Sequence, residues 1–134
     1  MSPALSIGFF GRFGRSASLR VFDTALRAVD LHPNLVPEAV KLTAVKMLIE
    51  QTGREDPRDE AMRAAAEIIA YCLLGAEAFA GANSTRLADA VDQRIDAALA
   101  AGTSLDARLV LLTLHARVIQ PSVVDHFKLE VAYD

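Results

Sequence analysis

The sequence has no tryptophan, one cysteine and few aromatic side chains of any kind, which together make up 6% of the chain. Because Cys72 stands alone, no disulfide can form within the chain, so a packed apolar core has to stabilise the fold. A chain of 134 residues is long enough to bury such a core as a single domain. The lone thiol also fits a reducing compartment, and we expect a cytoplasmic protein.

A long uninterrupted apolar run is also missing. The longest apolar tract, residues 64–82, contains Glu67 and Glu77, which a bilayer-spanning helix holds only at a cost of several kcal/mol. The first residues lack the basic start and the unbroken apolar stretch of a secretory signal peptide. We therefore expect neither a membrane span nor secretion.

The patterns that carry catalysis or bind metals are absent from the sequence as well. His32, His115 and His126 are scattered along the chain, and none has the close spacing to cysteine or carboxylates that marks a zinc or di-iron site. The segment GFFGRFGR lacks the Lys-Ser/Thr ending of a phosphate-binding loop. Cys72 falls in an apolar seam, where burial raises the pKa of a thiol and suppresses its reactivity. We predict no catalytic residue, no cofactor and no metal, and we disfavour an enzyme.

Alanine, leucine and valine supply much of the apolar fraction of 52%, a composition that favours helices. Apolar residues recur at spacings of three and four, and serine, proline and glycine mark where helices begin and end. Five helices are predicted in this way. The first runs from Ser16 or Ser18 to about Leu31, and the second from Asn34 to about Thr52, where Gly53 ends it. The third has Asp56 as its N-cap, begins at Pro57 and continues through Phe79, the fourth runs from Ser84 or Thr85 to Gly102, and the fifth runs from Leu105 to Gln120 after a loose capping box at Thr103. We expect the last of these to be the central helix and Pro121 to end it.

The third predicted helix is apolar nearly all round in its second half. Beyond Tyr71, the side opposite its main apolar face continues as Leu74 and Ala78, so this half needs neighbours on both sides. We interpret Gly75, which costs about 1 kcal/mol relative to alanine inside a helix, as a small residue over which another backbone passes closely. Tyr71, Leu74 and Ala78 are therefore candidate interface residues.

Residues 1–15 are predicted to form a non-helical arm with three glycines, three phenylalanines and two arginines, and no acidic residue precedes Asp23. Three roles for this arm stay open. It can fold back over its own core, or dock on another subunit or protein, as aromatic and arginine anchors do. It can also bind nucleic acid or an anionic surface, which the acidic body of the chain disfavours. The candidate interface residues of the arm are Phe9, Phe10, Arg12, Phe13 and Arg15.

The C-terminal residues 122–134 fit two kinds of structure. Apolar residues alternate with other residues from Phe127 to Tyr133, as in a strand, whereas the spacing of Val124, Phe127 and Val131 suits a short helix. Both alternatives stay open on the sequence alone.

The predicted fold class is all-α: a compact bundle of five to six helices in residues 16–134, forming one domain after the arm. We predict a non-catalytic interaction or structural module that forms a homodimer, because the arm and the third helix hold more apolar surface than one small bundle readily buries. Another protein is the alternative partner, and nucleic acid is not expected. The second hypothesis is a small-ligand-binding or sensor domain with a pocket between helices, bordered by Arg108, His115 and Tyr71.

Overall fold

The computed structural model describes residues 17–54 and 57–129, and every regular element within these two ranges is helical. The all-α class is confirmed, although these ranges hold seven α-helices instead of the predicted five to six. The elements are α1 (17–28), a short 3-10 turn (Pro33–Leu35), α2 (Glu38–Thr52), α3 (Asp59–Leu74), α4 (Ala76–Ala82), α5 (Thr85–Ala101), α6 (Leu105–His115) and α7 (Pro121–Phe127).

Two helices form the centre of the bundle. α3 packs against α2, α4, α5 and α6, and α6 packs against α2, α3 and α5. Every residue of α3 from Ile68 to Leu73 is buried, so this part of the helix is covered on all sides. Small residues such as Ala65, Ala66 and Ala70 are buried with them, which lets the neighbouring helices approach closely. The predicted central helix, now α6, thus shares the core with α3.

The predicted third helix is broken at Gly75, which separates α3 from α4. Gly75 has φ +88° and ψ 160°, a backbone conformation that is essentially confined to glycine. The carbonyls of Cys72 and Leu73 therefore lose their helical partners and accept instead from Gln120, whose backbone N–H and side-chain amide each donate at 2.8 Å. The prediction that Gly75 sits inside a helix was wrong, because Gln120, far along the chain, satisfies the broken end.

Several helix ends form at the residues that the sequence predicts. Ser84 caps α5 by accepting from the N–H of Leu87 at 3.0 Å. Gly53 and Gly102 end α2 and α5 with φ of +68° and +83°, a left-handed conformation that glycine adopts without a steric cost.

Other helix ends differ from the prediction. Asn34 lies in the 3-10 turn and Pro37 is the N-cap of α2. Ser104, not Thr103, caps α6 by accepting from Ala107. These differences move each boundary by a few residues and leave the helices in place.

α3 and α6 also differ at their ends. α3 begins at Asp59 with Arg58 as N-cap, so Pro57 is not its first residue, and the predicted cap Asp56 lies outside the described residues. α6 ends at His115, and Pro121 opens α7 instead of ending α6. Proline suits the first turn of a helix because it has no N–H to leave unpaired there.

The C-terminal segment is helical up to Phe127, which decides between the two alternatives for residues 122–127. Residues 130–134 lie outside the described residues, as does the predicted arm, residues 1–15.

Over the described ranges, no single helix has both the length and the apolar character to cross a membrane. Only α5 and α6 taken together pass by length and composition, and these two helices meet at 95°.

Candidate functional site

A cleft of about 280 Å³ opens where the α3–α4 junction, α5 and α7 meet. Ala76 and Val123 supply its apolar lining. The polar side chains that line it are Tyr71, Glu77, Asp92, Ser122 and His126. They come from four helices, so the bundle has to be complete before the cleft exists.

The carboxylate of Asp92 organises the polar side of this cleft. The Tyr71 hydroxyl donates to Asp92 Oδ2 at 2.8 Å. His126 Nε2 lies 2.8 Å from the same oxygen, with 56% of the histidine side chain and 33% of the Asp92 side chain exposed. One oxygen of Asp92 therefore ties α3 and α7 to α5.

Tyr71 is almost completely buried, with 1% of its surface exposed. Its ring centroid lies 5.7 Å from that of Phe79 and 6.3 Å from that of Phe127. Burial, and then the hydrogen bond to Asp92 and the charge of that carboxylate, raise the pKa of the Tyr71 phenol above its ordinary value. Tyr71 therefore stays protonated and acts as a fixed hydrogen-bond donor to Asp92.

α7 contributes the outer wall of the cleft. Ser122 and His126 are one helical turn apart, which places them on the same face of α7. Among the described contacts these two side chains form no hydrogen bond with each other. The cleft offers hydrogen-bond acceptors and two carboxylate groups.

A second polar cluster lies beside the cleft and is centred on Arg94 of α5. Its guanidinium donates to Glu67 Oε1 at 2.9 Å, to the Ala64 carbonyl at 3.2 Å and to Asp106 Oδ1 at 3.2 Å. These contacts join α5 to α3 and to the first turn of α6. Because all of its partners are supplied by the bundle, this cluster is a helix-to-helix connection.

The second candidate surface is an apolar strip on α2, formed by the exposed Leu42, the half-buried Ile49 and the buried Val45 between them, which we call the α2 strip. Spacings of three and four residues put these side chains on one face of the helix. They line a groove of about 380 Å³ whose remaining described lining is Thr43, Lys46 and Glu50. Leu42 is 40% exposed, which is high for a large apolar side chain.

The three predicted interface residues that the structure describes do not share one exposed surface. Tyr71 is buried, Leu74 is half-buried and Ala78 is exposed, because the break at Gly75 turns α4 away from the axis of α3. The arm residues Phe9, Phe10, Arg12, Phe13 and Arg15 lie outside the described residues.

The structure does not assemble the predicted pocket of Arg108, His115 and Tyr71. Arg108 and His115 are both exposed, and neither lines the cleft that Tyr71 reaches. Arg108 lies at the edge of the α2 groove, where Nη2 is 4.0 Å from Glu50 Oε2. The Tyr71 hydroxyl donates instead to Asp92 of α5, and the same carboxylate oxygen contacts His126 of α7.

Cys72 is fully buried in the core, as the sequence predicts. Burial raises the pKa of its thiol to about 12, against the opposing effect of a hydrogen bond with Thr113. Such a thiol is protonated and shielded at neutral pH, so it is inert. Within the described ranges, no three His, Cys, Asp or Glu side chains converge closely enough to hold a metal ion.

Comparisons with known proteins add no relative: no protein-family model, no curated protein and no solved structure matches this chain.

Proposed function

We propose that this protein is a non-catalytic interaction module that forms a homodimer through the α2 strip. The observation that carries the proposal is the exposure of Leu42 beside an open, largely apolar groove on a helix that the bundle holds firmly from its other side. Contiguous apolar surface next to a groove is typical of protein interaction sites.

The order of residues on the α2 strip suits pairing with a second copy. In an antiparallel pair of α2 helices whose two-fold axis passes midway between Leu42 and Ile49, Leu42 of one copy lies opposite Ile49 of the other. Two-fold interfaces are self-complementary in this way, since the same patch serves both subunits.

The border of the α2 strip supports the same partner. Lys46 and Glu50 carry opposite charges at its edge, so each copy offers both members of an ion pair. Arg108 adds a further charge beside Glu50. An apolar centre with a charged rim is the usual composition of a protein interface.

Leu42→Glu tests this proposal. We expect light scattering on a sizing column to give about twice the 14.4 kDa chain mass for the natural protein and the single mass for the variant. The carboxylate has to be buried without a partner in the dimer, which costs several kcal/mol.

Val21→Glu is the matched control, because Val21 of α1 is 39% exposed and lies outside the α2 strip. It should remain dimeric, and circular dichroism should show that both variants are folded. A natural chain that is monomeric throughout, or a Leu42→Glu variant that stays dimeric, refutes the proposal.

We also propose a cytoplasmic location. The single cysteine is buried and reduced, which fits a compartment that keeps thiols free. Cell fractionation tests this, and recovery of the chain with membranes or outside the cell contradicts it.

A further inference from the structure

A third concave surface, which we call the α1–α3 groove, lies between α1 and the first turns of α3 and has a volume of about 240 Å³. Its α1 side includes Val21, Ala25 and Ala28, whose spacings of four and three residues place them on one face of the helix. Ala25 is buried at the floor, whereas Val21 is 39% exposed and Ala28 is exposed as well. The apolar surface of α1 therefore extends beyond the face that the bundle covers.

The α3 side of the α1–α3 groove adds an apolar floor and two charges. Met62 is buried, and Asp59 and Arg63 are exposed on the same face one helical turn apart. Within the described ranges, neither charge forms an ion pair with another side chain. The groove thus offers apolar contact, a guanidinium that can lie against an aromatic ring, and a carboxylate that can accept from an arginine.

The arm, residues 1–15, joins α1 at the end where this groove begins. Val21 lies one helical turn, about 6 Å, from the first described residue of α1. An extended chain spans at most about 3.6 Å per residue, so Phe13 and Phe10 lie within about 14 Å and about 25 Å of that same residue. Both phenylalanines therefore reach the groove once the chain reverses direction, which a glycine such as Gly14 allows.

The size and the chemistry of the α1–α3 groove also match the arm. Its volume of about 240 Å³ is below the usual range of small-molecule sites, so it suits one or two side chains better than a free ligand. Phe10 and Phe13 each have an arginine within two residues, and the arm has no acidic residue to oppose Asp59. A short tether also gives the arm an effective concentration on the order of millimolar, which favours it over a separate partner.

We infer that the arm docks into the α1–α3 groove of its own chain, with a phenylalanine over Met62 and an arginine beside Asp59. Arg63 then borders the aromatic ring, where a guanidinium contributes a cation–π contact. The α1–α3 groove and the α2 strip share no lining residue, so docking of the arm does not depend on dimer formation.

A nitroxide label on the arm tests this docking in the full chain. Ser6→Cys provides the attachment site, and the natural Cys72 should stay unlabelled because its thiol is buried. We expect the label to broaden the amide NMR signals of residues 59–63, which are far from the arm in sequence. A Phe10→Ser/Phe13→Ser variant, which alters the arm alone, should restore the intensity of these signals.

Val21→Glu should also release the arm, because it places a carboxylate in the apolar part of the groove. Leu42→Glu is the matched control, since Leu42 is exposed to the same degree and lies on the α2 strip. It should keep the broadening of residues 59–63 while it separates the dimer. Broadening that survives Val21→Glu, or that is absent from the labelled natural sequence, overturns the inference. The chain masses of the two variants test the dimer separately.

The contact at Asp59 has a test of its own. Asp59→Asn should weaken docking about twofold to fivefold, the effect of one exposed ion pair, and the signals of residues 59–63 should recover in part. Glu60→Gln removes the same charge from the neighbouring position, which is exposed and does not line the groove. It should leave the broadening unchanged. Equal recovery in both variants contradicts an arginine beside Asp59.

A mixed sample distinguishes docking within one chain from an exchange of arms between two copies. Isotope-enriched chains without the nitroxide are mixed with an excess of nitroxide-labelled chains that are not enriched. Unbroadened signals of residues 59–63 in this sample support docking within one chain. Broadening as strong as in the singly prepared sample shows that the arm of one copy occupies the groove of another, and it overturns the inference.

Discussion

The clusters around Arg94 and Asp92 lie two residues apart on α5, both face α3, and yet they differ in how completely they are paired. Arg94 donates to Glu67, to a backbone carbonyl and to Asp106, all within the bundle. Asp92 accepts from Tyr71 and contacts His126 through one oxygen, and its side chain lines a cleft. Two charged residues that are close in sequence can therefore have different roles in the fold.

The difference shows how a connection between helices can be told from a binding site. A charged group whose partners all belong to the fold is costly to remove, because its partners are then left unpaired. A charged group that is held in position on one side and open on the other resembles a prepared binding site. On this basis Arg94 belongs to the scaffold and Asp92 to the candidate site.

The largest expected effect is on the free energy of unfolding, and it distinguishes the Arg94 cluster from the Asp92 cluster. Arg94→Met should lower the free energy of unfolding by about 2–3 kcal/mol, because it leaves Glu67 and Asp106 without their partner in a partly buried position. Asp92→Asn keeps an acceptor for the Tyr71 hydroxyl and should cost about 1 kcal/mol or less. Urea denaturation of the two variants gives both values.

Arg108→Met is the control for Arg94→Met, since its pair with Glu50 is exposed and 4.0 Å long. Such pairs contribute about 0–1 kcal/mol. If Asp92→Asn destabilises the protein as much as Arg94→Met does, the division into scaffold and site is wrong.

The second-largest expected loss of stability comes from a substitution at Gly75, at the junction of α3 and α4 beside the cleft. Gly75→Ala should destabilise the fold by about 2 kcal/mol, because φ of +88° is strained for alanine. The added Cβ would also lie 3.3 Å from the Ser122 hydroxyl oxygen, which presses on α7. Thermal unfolding measures the loss.

Gly81→Ala provides the contrast for Gly75→Ala. Gly81 lies within α4, and a Cβ there meets nothing within 4 Å, so alanine should stabilise the helix by about 0.5–1 kcal/mol. Losses of the same size at both positions would show that the junction at Gly75 has no special role.

The smallest effect at neutral pH belongs to Tyr71 and its neighbour Cys72, because their contribution to stability changes only in alkaline solution. Folding raises the pKa of both groups. In the unfolded chain the thiol therefore loses its proton above about pH 9 and the phenol above about pH 10, whereas in the folded chain both groups keep their protons to higher pH. Stability should therefore fall as pH rises, with a limiting slope of about 1.4 kcal/mol per pH unit for each group.

Urea denaturation between pH 8 and about pH 11 resolves the two contributions. Tyr71→Phe should remove the part of the slope that begins near pH 10, and Cys72→Ala the part that begins near pH 9. Arg94→Met should lower stability by a similar amount at each pH. An unchanged slope in Tyr71→Phe contradicts the raised pKa of the phenol.

The predictable parts of this fold are those that depend on neighbours in sequence. The cap at Ser84 and the helix ends at Gly53 and Gly102 involve backbone groups at most four residues away, so composition and spacing reveal them. The break at Gly75 depends on Gln120, whose amide contacts a carbonyl 47 residues earlier in the chain. No local sequence pattern predicts a contact between residues so far apart in the chain.

The candidate site could not be predicted from the sequence, because it too depends on residues that are far apart in the chain. Asp92 follows Tyr71 by 21 residues and precedes His126 by 34. The available signal was chemical: a tyrosine in an otherwise apolar helix needs a partner for its hydroxyl, and the polar side of α5 offers one. That reasoning leads to the polar side of α5, and it leaves His126 unassigned because the sequence does not decide whether residues 122–134 form a helix or a strand.

The contact between Gln120 and the end of α3 sets an order in which the chain can mature during synthesis. Until residue 120 has left the ribosome, a bend at Gly75 would leave the carbonyls of Cys72 and Leu73 without a protein partner, whereas a continuous helix would pair both of them. A nascent chain that stalls before this point would therefore present one long apolar helix to chaperones, and the native bend would form only after Gln120 is released.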